Sequence, residues 1–258
     1  MTFKYQNANI HYTISGTGPA VILLHGFLES QTMWAPLVSR IADTHTVITM
    51  DFPGLGKSEP LAEVHTMAMM AEVVDALLQE CNIDKATLIG HSMGGYITLA
   101  FMDLFEDKAE KIILLNSTSI ADSEERKSIR DRSVRLMHER PNAYISMAIG
   151  NWAVEDSREK FKEDLDFLKN QAYTFPVEGI TAALRGMRDR KDRTDVLQQF
   201  PRPKYLLLAE DDPIIDARET SELAKQAGVE VKTISGGHMS MIENQTALLD
   251  FVQSALED

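Results

Sequence analysis

The stretch Ala86-Thr87-Leu88-Ile89-Gly90-His91-Ser92-Met93-Gly94-Gly95-Tyr96 restricts the possible folds of this chain more than any other. An apolar run ends in Gly90, a serine follows after one residue, and a segment of helical period begins at once, so the stretch reads as strand, sharp turn and helix. A serine on such a turn takes a cramped backbone conformation that only neighbours without side chains permit, and its hydroxyl is held clear of the sheet edge. Gly90 and Gly94 are those neighbours. The Met93 amide opens the helix, where unpaired donors and the helix dipole favour a developing negative charge. One turn therefore offers a nucleophile and half of an oxyanion site. Gly-x-Ser-x-Gly alone is a common accident; its place between a strand and a helix gives it weight.

The rest of the chain alternates strands and helices around this point. Phe3–Tyr5 and Asn9–Ser15 read as antiparallel strands across a turn at Gln6-Asn7-Ala8. Ala20–Leu24 is continuously apolar, as a strand buried on both faces should be, and leads into His25-Gly26-Phe27. Gly26 at that point suggests a close backbone approach, and the Phe27 amide is a candidate second oxyanion donor. Thr32–Ala42 has helical spacing and Thr46–Met50 is a strand. Asp51 to Ser58 is a glycine-rich loop without the spacing of a phosphate cradle, and Thr66–Gln79 is an amphipathic helix. Lys111–Leu115 is the next strand. Alternation of this kind predicts right-handed crossovers and a mostly parallel sheet.

The pattern breaks near Ser117. From Asp122 to about Gln199 only helical segments occur: Asp122–Glu139, Ala143–Val154, Arg158–Tyr173, Val177–Arg188 and a short one near Asp195. This predicts a core of residues 1–117 and 201–258 carrying an inserted helical cap, residues 118–200, over the strand ends where ligands bind in open sheets. Arg185, Arg188, Arg190, Lys191 and Arg193 alternate with acids and read as a solvated helix face. Lys204–Ala209 and Val229–Ile234 resume the sheet. The first is followed by Glu210-Asp211-Asp212-Pro213 and the second by Ser235-Gly236-Gly237-His238-Met239. A last helix spans Thr246–Leu256.

A net charge of −13 repels phosphate backbones and anionic membranes, so neither nucleic acid nor a membrane is an expected partner. The single cysteine, Cys81, excludes an intrachain disulfide and fits a reducing compartment. No apolar run approaches the ~18 residues that span a bilayer, and Met1 to Tyr5 lacks a signal-peptide core, which makes the cytoplasm the expected location. The seven histidines are scattered without ligand spacing, so no metal or other cofactor is expected. The expected oligomeric state is a monomer or homodimer.

His25-Gly26-Phe27, the loop from Asp51 to Ser58, the elbow from Gly90 to Gly95, Asp212-Pro213 and Gly237-His238 stand in one order along the chain, and in that order the sequence resembles the α/β-hydrolase superfamily over nearly its whole length. The resemblance implies an α/β fold: an eight-stranded sheet, antiparallel only at its second strand, flanked by helices and topped by a helical cap. It also implies Ser92 as nucleophile, His238 as general base and then acid, and Asp212 as the group that orients the imidazole, with Phe27 and Met93 as oxyanion donors. Asp211 competes for the acid role; Asp212 is preferred because the family's acid usually precedes proline. Candidate substrate-binding residues are His25 and Gly26 ahead of Phe27, His91 beside the serine, Trp152 in the cap and Met239 beside His238. Two peripheral departures are Ala209, where the family often has glycine, and Gln245, where it often has proline.

The resemblance also bears on the reaction. Dehalogenases and epoxide hydrolases of this fold use aspartate at the elbow, and Ser92 argues against both. Tyr96 stands where enzymes of the menaquinone pathway have arginine, and His91 where ring-cleavage C–C hydrolases often have asparagine. What remains is similar to small carboxylesterases and 3-oxoadipate enol-lactonases, acting on a small-molecule ester, thioester or lactone. The alternatives are a ligand receptor of this fold with slow or no turnover, and a C–C hydrolase or lyase.

Overall fold

The computed structural model describes residues 1–258. Eight strands form one sheet: β1 (Thr2–Tyr5), β2 (Ala8–Ser15), β3 (Ala20–Leu24), β4 (Thr46–Met50), β5 (Ala86–His91), β6 (Ala109–Leu115), β7 (Lys204–Ala209) and β8 (Glu230–Ile234). Their spatial order is β1-β2-β4-β3-β5-β6-β7-β8. Strand β2 runs antiparallel to both neighbours, and every pair from β4 onward is parallel.

The apolar runs work because successive side chains leave a strand on opposite faces. Val21, Leu23, Ile89, Ile113 and Leu207 pack on one face against Trp34, Leu37, Phe251 and Val252. Ile22, Leu24, Leu88, Ile112 and Leu206 pack on the other, against Val73, Leu77, Ile97 and Phe101. The helices Ala35–Ile41 and Gln245–Glu257 thus cover one face, and Met67–Glu80 and Met93–Phe105 the other. Strand order reverses between β3 and β5, the place where an open α/β sheet forms a crevice. Leu24 pairs with Gly90 and His91 with Leu115 in register, so the loops after these strands leave the sheet together at one edge.

No strand lies between β6 and β7. Six helices do: Glu124–Glu139, Pro141–Gly150, Glu155–Lys160, Lys162–Ala172, Val177–Arg188 and Thr194–Gln199. Their apolar residues, among them Met137, Ile149, Leu168 and Leu184, belong to the same continuous core as the sheet. The boundaries differ from expectation where proline or a local turn intervenes. Pro141 opens a helix two residues before the expected Ala143, as a residue without an N–H suits the first turn. The expected helix over Thr32–Ala42 is a 3₁₀ turn, Gln31–Trp34, followed by an α-helix whose first turn holds Pro36. The expected segment Arg158–Tyr173 is divided at Phe161, whose backbone leaves the helical region. No helix is long and apolar enough to cross a membrane.

The basic cluster is a solvated face only in part: Lys191 is exposed and Arg188 pairs with neighbouring Asp189, but the rest is tied inward. Arg190 and Arg193 are buried, paired with Asp122 and Asp103 respectively, while Arg188 pairs with Asp131. These acids lie at least fifty residues away in sequence, so local spacing gave no sign of them. The arginines lock the inserted helices onto each other and onto helix Met93–Phe105.

His65 ties the same helices to the loop before Met67–Glu80. Its N–H donates to the Ala182 carbonyl, and its Nε2 accepts from the Leu61 and Ala62 amides. Burial pushes its pKa down to about 4. The unfolded chain takes a proton near the ordinary value of 6.5 and the folded chain does not, so stability is lost as pH falls from 6.5 toward 4. Urea unfolding at pH 7 and pH 5 should show this as a loss of about 2 kcal/mol, from 1.36 kcal/mol per pKa unit, that His65→Gln lacks. An equal change in both proteins would show that His65 stays uncoupled from folding.

Candidate active site

The elbow forms because glycines stand where nothing larger fits. Ser92 adopts φ 50° and ψ −114°, in the left-handed half of the backbone map. A Cβ on Gly94 would lie 1.9 Å from the Leu24 carbonyl oxygen, and one on Gly90 would lie 2.5 Å from the Gly94 carbonyl oxygen. The turn is pinned on both sides of the serine: Ser92 N–H donates to the Leu115 carbonyl at 3.0 Å, and Ser117 Oγ donates to the Ser92 carbonyl at 2.8 Å.

The loop after β8 carries His238 across to this hydroxyl. His238 Nε2 lies 2.8 Å from Ser92 Oγ, and Nδ1 lies 2.8 Å from Asp212 Oδ2. The imidazole is 3% exposed and the Asp212 side chain 0%, so both interactions are shielded from water. Asp212 is held by three further donors. Its Oδ1 accepts from the Ile214 and Ile215 amides at 2.8 and 3.0 Å, and its Oδ2 from Asn116 Nδ2 at 3.0 Å. Burial alone would raise the Asp212 pKa; His238 and these donors outweigh it and hold the carboxyl below its ordinary value. Asp211 is exposed and its amide bonds to Gly236. An ionised Asp212 fixes the proton on Nδ1 and leaves Nε2 free to take one from Ser92 Oγ.

The two backbone amides expected to serve as oxyanion donors are both left without a partner in the elements that carry them. Phe27 lines the cavity at Ser92 and its N–H has no acceptor within the protein, while Met93 N–H is the first of its helix and has none within that helix. The cavity encloses about 30 Å³ and is walled by Phe27, Glu29, Tyr96, Arg130, Trp152, Met187 and Ile214, with Ser92 and His238. Tyr96 and Ile214 also wall a second cavity, of about 240 Å³.

Of the expected substrate-binding residues only Trp152 reaches the cavity; His25, Gly26, His91 and Met239 do not. His25 is fully buried behind the loop, where Nδ1 donates to the Gly26 carbonyl at 2.7 Å and Nε2 accepts from Phe52 N–H at 3.0 Å. Burial lowers its pKa, which suits this neutral tautomer. Gly26 is closed off by the Glu29 carboxylate, which accepts its N–H. Met239 packs in the core. His91 is turned inward: Nε2 donates to the His238 carbonyl at 3.0 Å, and Nδ1 lies 3.0 Å from Glu29 Oε1. Sequence reasoning missed Glu29, Tyr96, Arg130, Met187 and Ile214. Glu29 left one sign, an acid two residues beyond His25-Gly26-Phe27; Arg130, Met187 and Ile214 left none.

With this geometry established, comparison with known proteins identifies the family. A family profile described as alpha/beta hydrolase fold matches residues 19–245. Among solved structures, a thermophilic esterase from Thermogutta terrifontis, in malate-bound form, superposes with a TM-score of 0.92 at 28% identity, covering 97% of this chain and 93% of that one. The enol-lactonase from Burkholderia xenovorans LB400 superposes with a TM-score of 0.92 at 23% identity over 100% of both chains, a likeness of fold. Among curated sequences, an uncharacterized protein of Mycobacterium tuberculosis is 30% identical over 109 residues, 42% of this chain and 32% of that one. The chain therefore spans about a third of the length of the first curated relatives it matches. By the profile match and the shared architecture, this chain belongs to the α/β-hydrolase family and carries its hydrolase fold.

Proposed function

We propose that this protein is a serine hydrolase that cleaves a small carboxylic ester, thioester or lactone through an acyl-enzyme, with residues 118–200 acting as a cap over the site. The observation that carries the reading is the unbroken hydrogen-bonded sequence from Ser92 Oγ through the His238 ring to Asp212, at a strained serine on a glycine elbow. The esterase activity of the Thermogutta relative supports the ester substrate.

In this reading Ser92 Oγ attacks the carbonyl carbon while His238 Nε2 takes its proton, and Asp212 stabilises the resulting imidazolium. The carbonyl electrons move onto oxygen, where the Phe27 and Met93 amides receive the charge. His238 then returns the proton to the leaving alcohol as the bond to it breaks. Water repeats the sequence on the acyl-enzyme, giving the acid and restoring Ser92.

The direct test is turnover of p-nitrophenyl acetate and butyrate by the wild type and Ser92→Ala. Rapid release of p-nitrophenolate by the first and background release by the second is expected. Equal rates would remove the proposal.

A further inference from the structure

The charges around the cavity do not cancel within the inserted helices. Asp122, with no exposed side-chain surface, faces two guanidinium groups: Arg130 Nε donates to Oδ2 at 3.1 Å, and Arg190 Nη1 is paired with Oδ1. Two buried or half-buried cations thus share one carboxylate. Arg190 is otherwise satisfied, because Nε donates to the Ile120 carbonyl, Nη1 to the Met187 carbonyl, and its guanidinium lies 4.2 Å from the centre of the Tyr96 ring. Arg130 is not. Its terminal nitrogens donate to no protein acceptor, its side chain is 17% exposed, and it lines the same cavity as Ser92 and His238.

The one acid in that lining, Glu29, is occupied by Gly26 N–H and the His91 ring. A chain with a net charge of −13 therefore keeps, in the lining of the Ser92 cavity, a cation that has only a shared counter-ion. Pairing with Asp122 does not account for this, since Arg190 alone would neutralise that carboxylate. Confining a guanidinium fork to a small, largely shielded cavity raises its attraction for a planar anion, and a carboxylate fits it with two hydrogen bonds.

We propose that Arg130 is an anion subsite, and that the substrate is a small ester or lactone carrying a free carboxylate. The substrate class rests on the ester-hydrolase reading; the anion subsite itself does not. A carboxylate on the terminal nitrogens of Arg130 would anchor one end of the substrate while the carbonyl carbon meets Ser92 Oγ.

Hydrolysis of monomethyl succinate and of methyl butyrate, followed by titrating the acid released, compares an anionic ester with a neutral one of similar length. The wild type should favour the anionic ester in kcat/KM by about 10-fold to 100-fold, the size of one charge-assisted contact. Arg130→Gln should bring the ratio near one, and Arg130→Lys, which keeps the charge without the fork, should retain part of it. A parallel arm measures the Tm of wild type, Ser92→Ala and Arg130→Gln with millimolar succinate. The first two should be stabilised and the third should not. A wild-type ratio at or below one, or a ratio unchanged in a folded Arg130→Gln, would overturn the subsite while leaving ester hydrolysis standing. Should neither ester be cleaved although succinate raises the Tm only when Arg130 is present, the subsite stands and the ester reading fails.

Discussion

Ser92→Ala should lower kcat/KM for p-nitrophenyl butyrate by about 10⁴-fold to 10⁶-fold, and His238→Ala by about as much, because neither residue performs its step without the other. The double variant should then be little slower than either single one. Asp212→Asn tests a narrower point. The carboxylate accepts a hydrogen bond from His238 Nδ1–H at 2.8 Å, and an amide nitrogen in its place would donate there instead. The imidazole would then carry its proton on Nε2, facing Ser92 Oγ, and could not accept another. A loss of about 10⁴-fold is expected, with the fold intact in circular dichroism. An initial burst of p-nitrophenolate equal to the enzyme concentration, present in the wild type and absent in Ser92→Ala, would identify the acyl-enzyme directly. Retention of most of the activity by Asp212→Asn would show that His238 reaches its working tautomer by another route.

The elbow was legible in the sequence because its causes are local. Gly90 and Gly94 lie within two residues of Ser92, and the close approaches that require them follow from the sharpness of the turn itself. His238 and Asp212 were legible at one remove, from the order of loops after the last strands, since a parallel sheet sends those loops to a common edge. Beyond Phe27 and Trp152 the cavity walls were not legible. Arg130 and Met187 come from the inserted helices, whose placement depends on pairs such as Arg190 with Asp122 and Arg193 with Asp103. An amphipathic pattern shows that a helix buries one face; it does not show which residue of that face meets a serine far away in the sequence. The inward turn of His91 was hidden for a related reason. Beside the elbow serine a histidine invites a role in binding, and only Glu29, sixty-two residues earlier, reveals that its ring points the other way.

Glu29→Ala should cost about 3–5 kcal/mol in unfolding free energy, the cost typical of breaking one side of a buried ion pair. Glu29 and His91 are both almost fully buried, and every polar atom of the pair is committed. Both ring nitrogens of His91 face acceptors, so a carboxylate at Glu29 requires an imidazolium at His91. Burial alone would favour the neutral forms; the mutual attraction and hydrogen bond win, holding Glu29 below its ordinary pKa and His91 above it. The sign of each contribution follows. Stability from Glu29 is present above its unfolded value of 4.5 and is lost as pH falls through its lower folded value. Stability from His91 is complete below 6.5 and is lost as pH rises through its higher folded value. The pair therefore contributes fully from about pH 4.5 to 6.5 and less on the alkaline side. Glu29→Gln separates charge from hydrogen bonding. A glutamine can still accept from Gly26 N–H and can donate to a neutral His91 Nδ1, so it should cost less than Glu29→Ala and remove the alkaline loss of stability. Urea unfolding of wild type, Glu29→Ala and Glu29→Gln at pH 6 and pH 9 measures all of this, and the same pH dependence in wild type and Glu29→Gln would mean that the pair holds no charge. Because Glu29 binds Gly26 N–H and His91 binds the His238 carbonyl, the pair also joins the Phe27 loop to the His238 loop behind Ser92. Glu29→Ala should accordingly lower kcat at temperatures where the protein remains folded, whereas a purely stabilising pair would leave kcat unchanged.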